Sequence, residues 1–323
     1  MHHPLRRGLI ALAILATACI ASAQTASWPT RPLRILVGSS PGGGTDAMAR
    51  AVADRLGPAL NVPVVVENRP GASNTLAADV TAKSTDGHTL VMGVSTAHAI
   101  APHLLRLSYD SDKDLVPVAF VGSVPNVLVV NKDLAVKDAK ELAVLAKSKP
   151  GSMNYASSGS GSTQHIAAEL FKEATGAFIT HIPYKGSGPS LVDLIAGQVQ
   201  MSFDTMASVL PHIQGGKVKA VAVASAKRSP RLPNVPTLSE VGIQGVEMSA
   251  WYGLYMPAAT PKAVQEKVHA EVSKLLALPE TRTRLDAIGA EITPMTQAQF
   301  VAFHQAENKR YADLIKRRGI KAD

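Results

Sequence analysis

Two strand–turn–helix units built around glycine set the frame for this chain. The stretch RILVGSSPGGGTDAMARAVADRL (Arg34 to Leu56) passes from an apolar strand through Gly42-Gly43-Gly44 into a helical pattern. The stretch MNYASSGSGSTQHIAAELF (Met153 to Phe171) does the same through Gly159 and Gly161. A helix begun this way leaves N–H groups without intrahelical partners, at the end where its dipole places about half a positive charge. Each turn is therefore able to hold an anion. Either turn alone reads better as the cap of a buried helix. The pair, in a chain long enough for two lobes, predicts a clamp that closes on a small anion.

The remaining pattern alternates short β-branched runs with helical segments, which predicts an α/β fold around a mainly parallel sheet. Strands are expected at Leu33–Val37, Val62–Val66, Thr89–Gly93, Val116–Val121, Val127–Val130, Asn154–Ala156, His181–Pro183, Met201–Phe203, Ala220–Ala224 and Trp251–Met256. A helix is expected after Thr260-Pro261, with Val264, Val268, Val272, Leu275 and Leu276 on one face, and a last one from Gln297 to about Arg317. Two strand-like regions, Pro117–Pro125 and Ser249–Ala258, are bordered by turn residues. If both cross between lobes, residues 24–122 and 250–323 form one lobe, 123–249 the other, and the ligand cleft lies between them.

Arg6 and Arg7, an apolar run from Leu9 to Ile20, and Ala21-Ser22-Ala23 read as a secretory signal peptide over residues 1–23. The single cysteine, Cys19, falls inside it, so the exported chain is expected to carry no disulfide and no thiolate. Ala16-Thr17-Ala18 lacks the large aliphatic residue of a lipoprotein signal, which argues against lipid anchoring at Cys19. A net charge of +8 suggests nucleic acid as a partner, but aromatics are only 4% and the cations are scattered, so a solvated basic surface is expected instead.

Three enzyme-like templates overlap on the first turn. Gly42 to Ala47 fits the dinucleotide pattern G-x-G-x-x-A, with Glu67 about twenty residues on; export from the cytoplasm disfavours it. Gly38-Ser39-Ser40-Pro41-Gly42 fits a nucleophile elbow, but the residue that must donate an oxyanion-hole N–H is Pro41, which has none. The phosphate-loop ending Gly-Lys-Ser/Thr is absent from both turns. No catalytic residue, metal site or cofactor is expected. What remains is anion capture by N–H groups and by the hydroxyls of Ser39, Ser40, Thr45, Ser157, Ser158, Ser162 and Thr163.

His165, one turn into the second helix, either orients a ligand or packs as a neutral core residue. Asp204 stands at the carboxyl end of a strand, where α/β clefts open, and Tyr184 follows another strand in the same way. Side chains around Ser95, His98, Tyr184, Asp204 and Trp251 are candidates for selectivity.

Six ordered blocks, among them WPTRPLRILVGSSPGGGTD, YASSGSGSTQHIAAELF and IPYKGSGPSLVDLIAGQVQMSFD, make the chain from about Trp28 onward resemble the Bug/TctC solute-binding proteins of tripartite tricarboxylate transporters. The resemblance implies a two-lobed, type II periplasmic-binding-protein-like fold, with two mixed sheets flanked by helices and joined by crossing hinge strands. It implies a periplasmic, monomeric receptor for a small carboxylate (a di- or tricarboxylate, amino acid or aromatic acid) that serves membrane permease subunits. It marks Ser40, Gly43, Gly44, Asp46, Ser158, Gly159, Thr163 and His165 as ligand-holding, with Asp204 nearby. The Ser73-Asn74-Thr75 that follows NRPGA departs from a commoner glycine-containing pattern and affects local cleft shape. Two rivals stand beside this reading: a sensory partner of a receptor kinase, and an extracytoplasmic enzyme acting on a carboxylate.

Overall fold

The computed structural model describes residues 28–322; the expected signal segment with Cys19 lies outside them, as does residue 323. Strands β1 (Leu33–Val37), β2 (Val64–Asn68), β3 (Thr89–Val94), β4 (Leu115–Asn131) and β9 (Ser249–Pro257) form one half-sheet. The second half-sheet joins β4 to β7 (Met201–Thr205), β5 (Asn154–Ser157), β6 (Thr180–Pro183) and β8 (Val218–Val223). The strand order is β2-β1-β3-β9-β4-β7-β5-β6, with β8 also on β4. Pairing is parallel within β2-β1-β3 and β7-β5-β6, and antiparallel wherever β4 or β9 takes part.

The continuity of β4 was not expected. The sequence reads Val116–Val121 and Val127–Val130 as separate strands, yet one strand of 17 residues runs through both. Its partner changes at this place: Pro125 is the last residue opposite β9 and Asn126 the first opposite β7. A proline, which has no N–H to give, is tolerated where one ladder stops and the next begins. The two expected mixed sheets are thus joined through β4, which belongs to both.

Successive strand residues face opposite sides, and β1 is buried on both. Ile35 and Val37 pack under α1 (Gly44–Leu60) and α7 (Lys262–Ala277), with Met48, Val52, Leu56, Val268 and Val272. Leu36 faces the other core, which holds Phe171 of α4 (Thr163–Thr175) and Phe300 and Tyr311 of α9 (Gln297–Arg318). Each core runs across both half-sheets. Helix α9 opens on a Thr296/Gln299 capping box. It closes with Arg318 paired to Glu173 of α4, so it spans both halves. Among the described residues no helix is long and apolar enough to cross a membrane.

Candidate ligand-binding site

The first turn is fixed by its own acid. Asp46, buried at the start of α1, accepts from the Gly42 N–H (3.1 Å), from Asn68 Nδ2 (2.9 Å) and from Arg50 Nε (3.0 Å). Asn68 also donates to the Ser39 carbonyl at 2.9 Å. Burial pushes the Asp46 carboxyl up, but the donors Arg50, Asn68 and Gly42 outweigh it and hold it below the ordinary value. Asp46 therefore organises the turn and does not face the cleft. The N-cap is Gly43, which offers no side-chain cap, so the first N–H groups of α1 remain for another acceptor.

The second turn is held from behind by imidazoles. Gly161 N–H donates to His165 Nδ1 (3.0 Å), and His181 Nε2 lies 2.6 Å from Ser157 Oγ, which accepts from Gly159 N–H (3.1 Å). The two rings stack at 4.4 Å. Ser162 caps α4 by accepting from the His165 N–H. His165, Ser157 and Ser162 thus serve the turn's geometry rather than its open face.

Two more helix N-termini arrive that the glycine pattern does not mark. Helices α5 (Ser187–Ile195) and α6 (Met206–Gln214) follow β6 and β7 of the second half, with Ser187 the first residue of α5 and Thr205 the N-cap of α6. Asp204 ties these starts together. Its Oδ1 accepts from Ser187 Oγ (2.8 Å), Gln164 Nε2 (2.8 Å) and Thr205 N–H (2.7 Å), three groups on three elements. Complete burial pushes this carboxyl up to about 6 in spite of the donors from Ser187, Thr205 and Gln164.

Between the half-sheets lies a cavity of about 20 Å³, lined by Ser39, Gly44, Thr45, Asn74, Ser158, Thr163, Gln164, Ser187, Thr205 and Tyr252, among others. That is room for roughly one water. The N-termini of α1, α4, α5 and α6 all reach it. Ser39 Oγ and Asn74 Oδ1 are buried there without a hydrogen-bond partner, an arrangement that costs about 1–3 kcal/mol per group unless something binds. The approach of the halves is close. A Cβ on Gly44 would lie 2.4 Å from Thr205 Oγ1, and one on Gly188 would lie 2.7 Å from the Pro41 carbonyl oxygen.

Two hydroxyls cross the closure. Ser40 Oγ donates to the Lys185 carbonyl, and Ser73 Oγ to the Ser160 carbonyl. Ser73 belongs to a run in which Ala72, Ser73 and Asn74 all have left-handed φ (45°, 53° and 71°). Such a run is strained for residues with a Cβ, and strain of this kind gathers at ligand clamps. Outside these contacts a groove of about 450 Å³ opens, lined by Asn74, Leu105, Arg106, Leu107, Ser158, Gly159, Tyr184 and Lys185 among others.

Of the residues singled out from sequence, Ser39, Gly44, Thr45, Ser158 and Thr163 line the cavity, and Gly159 and Tyr184 line the outer groove. The Tyr184 hydroxyl is engaged by Asp193 at 2.6 Å, which leaves its ring as the available surface. Ser40 and Gly43 shape the closure and the cap. Asp204 lies behind the cavity wall.

His98 goes elsewhere. It is fully buried and stacked on Tyr255 at 3.9 Å, on the face covered by α9, and desolvation there pulls its pKa well below the usual imidazole value. Ser95 is buried between the lining residues Val94 and Thr96 without lining the cavity itself, and Trp251 packs edge-on against Phe300 and Phe303. Tyr252, which reads from sequence as either a cleft residue or hinge core, and Asn74, part of the run expected to affect cleft shape, both line the cavity, whereas Gln164, Ser187 and Thr205 were not anticipated. Ser187 and Thr205 carry a legible mark, since each ends a strand-to-helix connection on the same side of a parallel sheet.

A continuous α/β sheet whose halves aim four helix N-termini at one shared polar cavity defines a solute-binding protein. The chain belongs to the family described as the tripartite tricarboxylate transporter family receptor, whose model matches residues 48–320. It is 38% identical over 311 residues to the protein BugT of Bordetella pertussis, covering 95% of each chain. Its fold superposes on Rpa4515 of R. palustris, solved with adipate, at a TM-score of 0.88 and 35% identity, covering 91% of this chain and 99% of that one. It also matches MatC of Rhodopseudomonas palustris, solved with bound malate, at a TM-score of 0.85 and 34% identity, with 89% and 100% covered.

Proposed function

We propose that this protein is a periplasmic receptor that captures a small carboxylate between two lobes, residues 24–122 with 250–323 and residues 123–249, and delivers it to the permease of a tripartite tricarboxylate-type transporter. The observation that carries the reading is the convergence of four helix N-termini on a cavity with unpaired Ser39 and Asn74 oxygens. A carboxylate brings acceptors for the N–H groups of α1 and α4 and for the Ser39 hydroxyl, and its charge is favoured by the dipoles. Asn74 Oδ1 is an acceptor, so it meets the ligand through a bridging water or a ligand hydroxyl.

A cavity of about 20 Å³ does not admit a dicarboxylate until the jaws part. Parting is a hinge motion about the crossing of β4 and β9, where Ser123 and Pro125 face Trp251 and Ser249. The adipate and malate carried by the two relatives support the carboxylate class. Native mass spectrometry of freshly purified protein, followed by a thermal-shift screen of carboxylates, tests the reading. A bound acid recovered unchanged, and a melting temperature that rises with its concentration, are expected. Steady chemical turnover of the acid, or no stabilisation by any carboxylate, contradicts it.

A further inference from the structure

Of the four helix N-termini at the inner cavity, two are already tied to an anion of the protein's own. Asp204 Oδ1 accepts from the Thr205 N–H at the start of α6 (2.7 Å), from Ser187 Oγ at the start of α5 (2.8 Å) and from Gln164 Nε2 of α4 (2.8 Å). Those three residues line the cavity, so a ligand there stands one layer of residues from this carboxyl group. The other oxygen, Oδ2, is buried without a hydrogen-bond partner, in a residue with no exposure to solvent. Ser208 of α6, a further hydroxyl near the carboxyl, is engaged with Thr205 Oγ1 at 2.9 Å. No cation answers the charge: among the described residues Asp204 is in no ion pair, Val127 of β4 stands opposite it, and the titratable group that feels it is the Tyr252 phenol of β9. Complete burial raises the carboxyl to about 6 before any ligand charge is added.

Two carboxylates one layer apart in a site shut from water repel, and such a pair is relieved by protonating one member. The ligand's carboxylate faces the N–H groups of α1 and α4 and the Ser39 hydroxyl, which favour its charge. Oδ2 of Asp204 has no donor, so the proton goes there, from the solvent, while Oδ1 keeps its three bonds. Resting on the receptor reading above, we propose that Asp204 is a positioning residue that takes up a proton as the ligand carboxylate binds, so that capture of the anion is coupled to capture of a proton. Linkage is reciprocal: a ligand that tightens the hold of Asp204 on its proton is itself held more tightly, by the same factor, when the proton is in place. Affinity is therefore greatest in mild acid and falls about five- to tenfold as pH rises from 6.5 to 8.

The test is calorimetric titration of the full exported chain with malate, glutamate, adipate and benzoate, all ionised above pH 6.5, in bis-Tris and in Tris at pH 7.2. The difference in heat between the two buffers counts the protons taken up. About half a proton per ligand is expected with each of these acids that binds, together with the fall in affinity towards pH 8. Asp204→Asn, an isostere of the protonated acid, is expected to bind with no uptake and with a flat pH profile. Ser187→Ala removes a donor from Oδ1 and so favours the protonated form; it is expected to move the fall in affinity to higher pH, and it decides the matter if Asp204→Asn does not fold. Zero uptake by the wild type overturns the proposal while the receptor reading stands. Uptake that survives in Asp204→Asn, or a pH profile that Ser187→Ala leaves in place, also overturns it. Failure of all four acids to bind contradicts the receptor reading and the proposal together.

Discussion

Ser73 Oγ donates to the carbonyl of Ser160, joining the loop after β2 to the second glycine turn across the cleft. Ser73 does this from a left-handed φ of 53° that glycine would occupy at less cost. Strain on one jaw is offset by a hydrogen bond that exists only when the jaws meet. Ser73→Ala keeps the strain and loses the bond, worth about 0.5–1.5 kcal/mol. We expect carboxylate affinity to fall roughly two- to tenfold, with Ser73→Gly raising the melting temperature of the ligand-free protein while weakening binding similarly. Unchanged calorimetric affinity in both variants would rule out a latching role for Ser73.

Gly44 gives a sharper steric test. It is helical, so alanine there improves helix propensity, but its Cβ would lie 2.4 Å from Thr205 Oγ1 and 2.8 Å from the Tyr252 hydroxyl. We expect Gly44→Ala to fold with a normal circular dichroism spectrum and to bind carboxylate about ten- to a hundredfold more weakly, because the jaws are wedged apart. Tight binding by that variant is incompatible with the closure described.

Asp204 and Asp46 predict opposite pH behaviour. Burial raises Asp204 from 3.8 to about 6, so the native state holds a proton that the unfolded chain has released between those values. Its contribution to stability is complete below about pH 4 and is lost as pH rises towards 6. Relative to the wild type, Asp204→Asn should therefore gain up to about 3 kcal/mol between pH 4 and 7. Denaturant unfolding of both proteins at a series of pH values measures this difference, and a constant gap would refute it.

Asp46 is held below its ordinary value by Arg50, Asn68 and Gly42 against the cost of burial. Its contribution is present above the unfolded value of 3.8 and is lost as pH falls through the folded one. Asp46→Asn is expected to cost about 1–3 kcal/mol at neutral pH, from the lost charge-assisted bonds, and less in acid. The same unfolding series reads it out, and a penalty that grows on acidification would contradict the assignment.

Much of this arrangement was legible in the sequence because it is local. β1 follows from LRILV, a run buried on both faces, and the two glycine turns follow from the strand-to-helix punctuation around Gly42 and Gly159. Long-range facts were not legible. Pro125 looks like a strand end until the exchange of β9 for β7 is seen. His98 looks like a cleft residue until its stacking on Tyr255 is seen. Ser187 and Thr205 were passed over because serine and threonine after a strand are common caps. Only the sheet order β4-β7-β5-β6 brings their helices to the same cavity as Gly44.

The proposed grip on a carboxylate lies where α1, α4, α5 and α6 begin. A crystal structure of the protein grown with the carboxylate that stabilises it most tests this directly. One carboxylate of the ligand is expected among Ser39, Thr45, Ser158 and Thr163, within hydrogen-bond reach of the first N–H groups of α1. Ligand density anywhere else, with that cavity unchanged, would contradict it.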